Sequence, residues 1–70
     1  MTLHELMNAC NVHPEVEITL YNMASFADSG KYEEIDPAYF NREVSYFEVV
    51  ETSYTYRAYI NRMKIYLKGE

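Results

Sequence analysis

The side chains in this sequence that could do chemistry are few, and their spacing is the first thing to weigh. His4, Cys10 and His13 are the soft metal-ligand candidates. A structural zinc site takes four ligands at recognised spacings. This trio offers neither a fourth ligand nor a paired CxxC or HxxxH. Cys10 also falls in phase with Leu3, Leu6 and Met7, where cysteine acts as a small core residue. Glu33, Glu34 and Asp36 form an acidic cluster without the ligand spacing of a calcium loop. No serine stands in a GxSxG setting, and two glycines cannot build a phosphate-cradling loop. A domain of this size also struggles to enclose a pocket of the few hundred Å³ that substrates usually occupy. The expectation is a non-enzymatic protein with no cofactor and no metal.

The tyrosines carry more information. There are eight, with three phenylalanines and no tryptophan. Tyr54, Tyr56 and Tyr59 cluster with Arg57 and Arg62. Tyrosine and arginine are favoured at interface hot spots, because a large amphipathic ring buries area while its hydroxyl keeps a partner. In a tiny domain the same rings can also be core and rim. Charge is uneven along the chain. Residues 1–51 hold ten acids and two bases, and residues 52–70 hold four bases and one acid, within a net charge of −5. The acidic part argues against direct nucleic-acid binding, which needs cations against phosphate. An acidic face of Glu15, Glu17, Asp28, Glu33, Glu34 and Asp36 could instead mimic a phosphate line and be steered to a basic channel. The simpler reading pairs the acidic and basic parts across a sheet.

Seventy residues make one domain, spanning residues 1–70. Such a domain buries only roughly 60% of its unfolded surface, so aromatic packing or a homodimer would help it. A lone cysteine fits a reducing cytoplasm. The N-terminus has no basic segment before an apolar stretch, and the apolar runs are too short and interrupted to span a bilayer.

These residues need elements to position them. Thr2 followed by Glu5 is a capping-box pattern and opens a helix over 3–10. His13-Pro14 forces an extended segment. Val16, Ile18 and Leu20 then alternate with polar residues, which predicts a half-buried strand. The chain turns around residues 21–24. A return strand follows from Ser25 to Ile35, kinked at Gly30. Asp36-Pro37 starts a short second helix ending near Arg42 or Glu43. Val44–Val50 is a β-branched and aromatic strand. Residues 54–67 fit a helical stripe as well as a strand. A final strand over 63–68 is preferred because Val44–Val50 needs a partner. Residues 51–62 then form a connection or a strand extension. The expected fold is α+β: a mainly antiparallel four-stranded sheet with one packed N-terminal helix, in the order α-β-β-α-β-β. The expected core is Leu3, Leu6, Met7, Cys10, Val16, Ile18, Leu20, Phe26, Ile35, Phe40, Val44, Phe47, Val49, Met63, Ile65 and Leu67.

This layout resembles small proteins of phages, prophages and mobile elements in Gram-positive bacteria. The resemblance is carried by Thr2-Leu3-His4-Glu5-Leu6, Val16-Glu17-Ile18, Asp36-Pro37, Arg42-Glu43-Val44 and Met63-Lys64-Ile65-Tyr66-Leu67. It covers most of the chain through short motifs, and it brings no functional residues with it. Several such proteins inhibit bacterial defence systems, anti-CRISPR proteins among them. The resemblance implies an inhibitor in the bacterial host's cytoplasm that binds a host protein or ribonucleoprotein such as a CRISPR effector. The expected contact residues are the acidic face together with Tyr54, Tyr56, Arg57 and Tyr59. The alternative is a self-associating accessory protein without a defence role.

Overall fold

The computed structural model describes residues 1–10, 12–54 and 58–69. The helix α1 runs Leu3–Ala9. Its start follows the sequence pattern: the Thr2 hydroxyl accepts from the Glu5 N–H, and the Glu5 carboxylate accepts from the Thr2 N–H at 2.9 Å. Two further N–H groups of the first turn, on Leu3 and His4, donate to the carbonyls of Arg42 and Phe40. The orphan donors of the helix start are thereby satisfied.

Four strands follow: β1 (Val12–Asn22), β2 (Ser25–Lys31), β3 (Val44–Tyr54) and β4 (Ala58–Leu67). They form one sheet in the order β2-β1-β4-β3. The β1–β2 and β3–β4 pairs are antiparallel hairpins, and the central β1–β4 pair is parallel. The sheet is therefore mixed: two of its three pairs are antiparallel, and the central parallel pair was not expected. Burial explains the arrangement. β1 and β4 carry the strictest alternation, with Val16, Ile18 and Leu20 on one and Met63, Ile65 and Leu67 on the other. Setting them side by side at the centre concentrates apolar surface under the helix. Leu3, Leu6 and Met7 from α1 and Ile35 from the β2–β3 connection complete the buried cluster.

The strand boundaries outrun the sequence signals. β1 begins at Val12, so His13 and Pro14 lie inside it. The hairpin turn is two residues, Met23 and Ala24, with Met23 at φ 61°. Residues 58–67 are strand, so the helical alternative does not hold for the described part of 54–67. The second helix is replaced by two single 3₁₀ turns, Tyr32–Glu34 and Pro37–Tyr39. The first of these also replaces the expected end of the return strand. Asp36 caps the second turn by accepting from the Ala38 N–H at 3.0 Å. The chain turns away after Gly30, which sits at φ 137°, a conformation open to glycine and strained for L side chains. Glu34 lies over the missing Cβ and accepts from the Lys31 N–H at 2.9 Å.

Three expected core residues are exposed instead: Phe26, Phe47 and Val49. Each has a mechanical reason. The β1–β2 register shifts after Leu20, leaving Ala27 as the extra residue and turning Phe26 to the open face beside Tyr21. Phe47 and Val49 stay on the helix side of β3, opposite Ile65 and Met63. A seven-residue helix is only about 10 Å long and 10–12 Å across, so it cannot roof four strands spaced about 4.8 Å apart. Cys10, Phe40 and Val44 are partly buried against the cluster.

Candidate functional site

The face of the sheet opposite α1 is organised in three rows, each following the strand register. The first is aromatic: Phe26, Tyr21, Tyr66 and Tyr46 stand at matching positions on β2, β1, β4 and β3. Tyr66 is sandwiched between two rings, with centroids 4.9 Å from Tyr21 and 4.3 Å from Tyr46 and nearly parallel planes. Partial burial in this stack pushes the Tyr66 phenol above its ordinary pKa, with the nearby Glu48 charge acting in the same direction. The second row holds Thr19, Lys64 and Glu48. The third row holds Lys31, Glu17, Arg62 and Glu51, so its charges alternate in sign. Arg62 Nε lies 3.4 Å from Glu17 Oε2.

This arrangement matches the simpler charge reading: basic β4 lies between acidic β1 and β3. Glu15 is ion-paired to Lys31, and the hydrogen bond and charge from that lysine hold its carboxyl below the usual range. The Lys31 ammonium is shifted upward by the same pair.

The expected acidic surface divides into two groups. Glu15 and Glu17 stand on the open face in ion pairs. Asp28, Glu33, Glu34 and Asp36 lie at the β2 edge and the turns that follow it. Three of these four serve the backbone: Asp28 accepts from the Ser29 and Asp36 N–H groups, Glu34 from Lys31, and Asp36 from Ala38. In the tyrosine cluster, Tyr56 and Arg57 lie outside the described residues. Tyr54 ends β3 opposite Ala58. The half-buried Tyr59 meets His13 edge-on, with centroids 6.0 Å apart.

The histidines are engaged locally. His13 Nδ1 accepts from the Glu15 N–H at 3.0 Å. His4 contacts Asn8 and the Tyr32 hydroxyl through its two ring nitrogens. Among the described residues, no three His, Cys, Asp or Glu side chains converge as a metal group would require. Among the described residues there are shallow depressions of about 270–280 Å³ on the open face beside Val50 and Arg62, between α1 and the start of β1, and beside His13, Glu15 and Asn61.

The largest group of exposed apolar side chains on one strand was not among the expected contacts. Tyr46, Phe47, Val49 and Val50 are 52%, 39%, 45% and 52% exposed, and all four sit on β3. β3 is also an edge strand, and among the described residues no strand pairs with its outer side. Register shifts at Ser45 and around Val50 bound a regular stretch, Tyr46–Val49. A sequence signal for this existed. Val44–Val50 is apolar in both alternation phases, and one short helix can cover only one face of a sheet.

No family model, curated protein or solved structure matches this chain.

Proposed function

We propose that this protein works by binding another macromolecule through the β3 side of its sheet, without catalysing a reaction. The observation that carries the reading is the concentration of exposed apolar side chains on one edge strand, whose outer side, among the described residues, receives the Met1 carbonyl at Val44 and no added strand. An edge of this kind presents unsatisfied backbone donors and acceptors together with apolar surface, the two components a strand-adding or face-covering partner uses. Within that class, a mobile-element inhibitor of a host defence complex is the reading that the sequence resemblance supports. The acidic residues then contribute less than their number suggests, because Glu15 and Glu17 are already paired and three of the turn acids hold backbone groups.

The test compares capture of host proteins from a nuclease-treated bacterial lysate by three forms of the tagged protein. Wild type and Glu33→Gln should retain the same discrete partner. Phe47→Asp combined with Val49→Asp should lose it while keeping the wild-type circular dichroism spectrum, because both side chains are exposed. Retention of the partner by the folded double variant would overturn the assignment to β3.

A further inference from the structure

The three rows on the open face all stop at β3, and they stop unmatched. The alternating row Lys31, Glu17, Arg62, Glu51 ends on an acid. The row through Lys64 ends on the acid Glu48, and the aromatic row ends on Tyr46. From Val44 to Tyr54, β3 contains two acids and no base. On its inner side, β4 supplies the complement. Arg62, Lys64 and Tyr66 stand opposite Glu51, Glu48 and Tyr46, at alternate positions of one strand. On its outer side, among the described residues, no strand faces the same three side chains.

We propose that β3 accepts along this outer edge a short extended segment of a partner protein, carrying two basic side chains and an aromatic one at alternate positions. In the antiparallel sense the segment reads basic-x-basic-x-aromatic, the pattern that β4 presents between Arg62 and Tyr66. The intervening positions face Phe47 and Val49 on the helix side and suit apolar side chains. Opposite charges and aromatic pairs directly across strands are favourable, and like charges are not. The register shift at Ser45 bounds the added strand at one end, and the extra residue Val50 makes Glu51 the next position on the face of Glu48, so the added strand spans Tyr46–Glu51 across that bulge and stays short. A second copy of this chain fits the edge poorly. Its own β3 brings no base to Glu48 or Glu51, its β2 edge carries the single base Lys31, already paired with Glu15, and each copy has a net charge of −5.

The inference rests on the β3 reading above, and the experiment separates the two. The probe is a synthetic peptide containing the β4 segment Arg62–Tyr66 flanked by threonines. Its control carries glutamate in place of both bases. Each is titrated into the isotope-labelled full chain, and backbone amide shifts are followed by NMR. Saturable shifts at Tyr46–Val49 with the basic peptide are expected. The Glu48→Gln, Glu51→Gln double variant should weaken binding by about tenfold, as expected for the loss of two cross-strand pairs. Equal or tighter binding of the acidic peptide would overturn the charge assignment while leaving the edge as the site. No shift on β3 from either peptide, with host capture still abolished by the Phe47 and Val49 substitutions, would overturn strand addition alone. Failure of both experiments would remove the β3 reading as well. A dimer in sedimentation that uses β3 would also overturn the proposal, by assigning the edge to a second copy.

Discussion

Replacing Tyr66 by isoleucine keeps a β-favourable apolar side chain and removes the middle ring of the stack. Tyr66 touches a ring on each side, at 4.9 and 4.3 Å, whereas Tyr46 and Tyr21 each have one such contact with it. An aromatic pair contributes about 0.5–1.5 kcal/mol beyond its area burial. Tyr66→Ile therefore removes about 1–3 kcal/mol and Tyr46→Ile about half as much. A domain of this length has a total stability of about 3.5–10 kcal/mol. Each lost kcal/mol lowers the melting temperature of so small a domain by about 4–8 °C. The expected drop for Tyr66→Ile is thus about 5–20 °C, read by far-ultraviolet circular dichroism. Urea unfolding of Tyr21→Ile, Tyr46→Ile and their double variant supplies a control. Their effects should depart from additivity, because both rings stack on the same Tyr66. A Tyr66→Ile variant no less stable than Tyr46→Ile would refute the stack as a stabilising unit.

Four further outcomes follow from local geometry. Gly30→Ala should destabilise by about 1–3 kcal/mol in chemical denaturation, since an L residue must then hold φ 137°. Thr2→Ala should cost about 0.5–2 kcal/mol by removing the hydroxyl that accepts from Glu5. Glu5 and Glu15 are both held below their ordinary pKa, Glu5 chiefly by the Thr2 N–H and Glu15 by Lys31, so their contribution is present above the unfolded carboxylate value. That contribution is lost as pH falls through the lower folded values, and Glu15→Gln should flatten this acid-side loss in melting temperature. On the alkaline side, burial raises Tyr66 and Tyr32. Stability should therefore fall once pH rises past the ordinary tyrosine value of about 10, and phenolate absorbance should show Tyr66 and Tyr32 ionising late.

Much of the local structure was legible in the sequence because it rests on nearest neighbours. The Thr2–Glu5 pair announces α1, the 2-residue alternation announces β1, and Asp36-Pro37 announces a cap, although it opens one 3₁₀ turn and not the expected helix; β4 is preferred over a helical stripe only because Val44–Val50 needs a partner. Among the described residues, the ten most buried apolar side chains all belong to the expected core. What the sequence reading missed is non-local. Hairpins are set by turns, but the parallel docking of β1 on β4 depends on which strands most need covering. A clue lay in the charges: Glu15 and Glu17 beside one apolar stripe, Arg62 and Lys64 beside another. The register shifts at Ala27 and Ser45 reverse which face a side chain takes, and no residue type marks them. That is why Phe26 was read as core and why the aromatic row across all four strands was not foreseen. The candidate interface was hidden for a related reason. Phe47 and Val49 carry a core-like pattern, and only the short reach of α1 leaves them uncovered.

The most direct measurement is amide hydrogen exchange on the free protein and on its complex with the captured partner. If β3 is the interface, the outward amides within Tyr46–Val49 exchange quickly in the free protein and become protected in the complex. Protection confined to Glu33–Asp36, or to the cleft between α1 and the start of β1, with β3 unchanged, would contradict it.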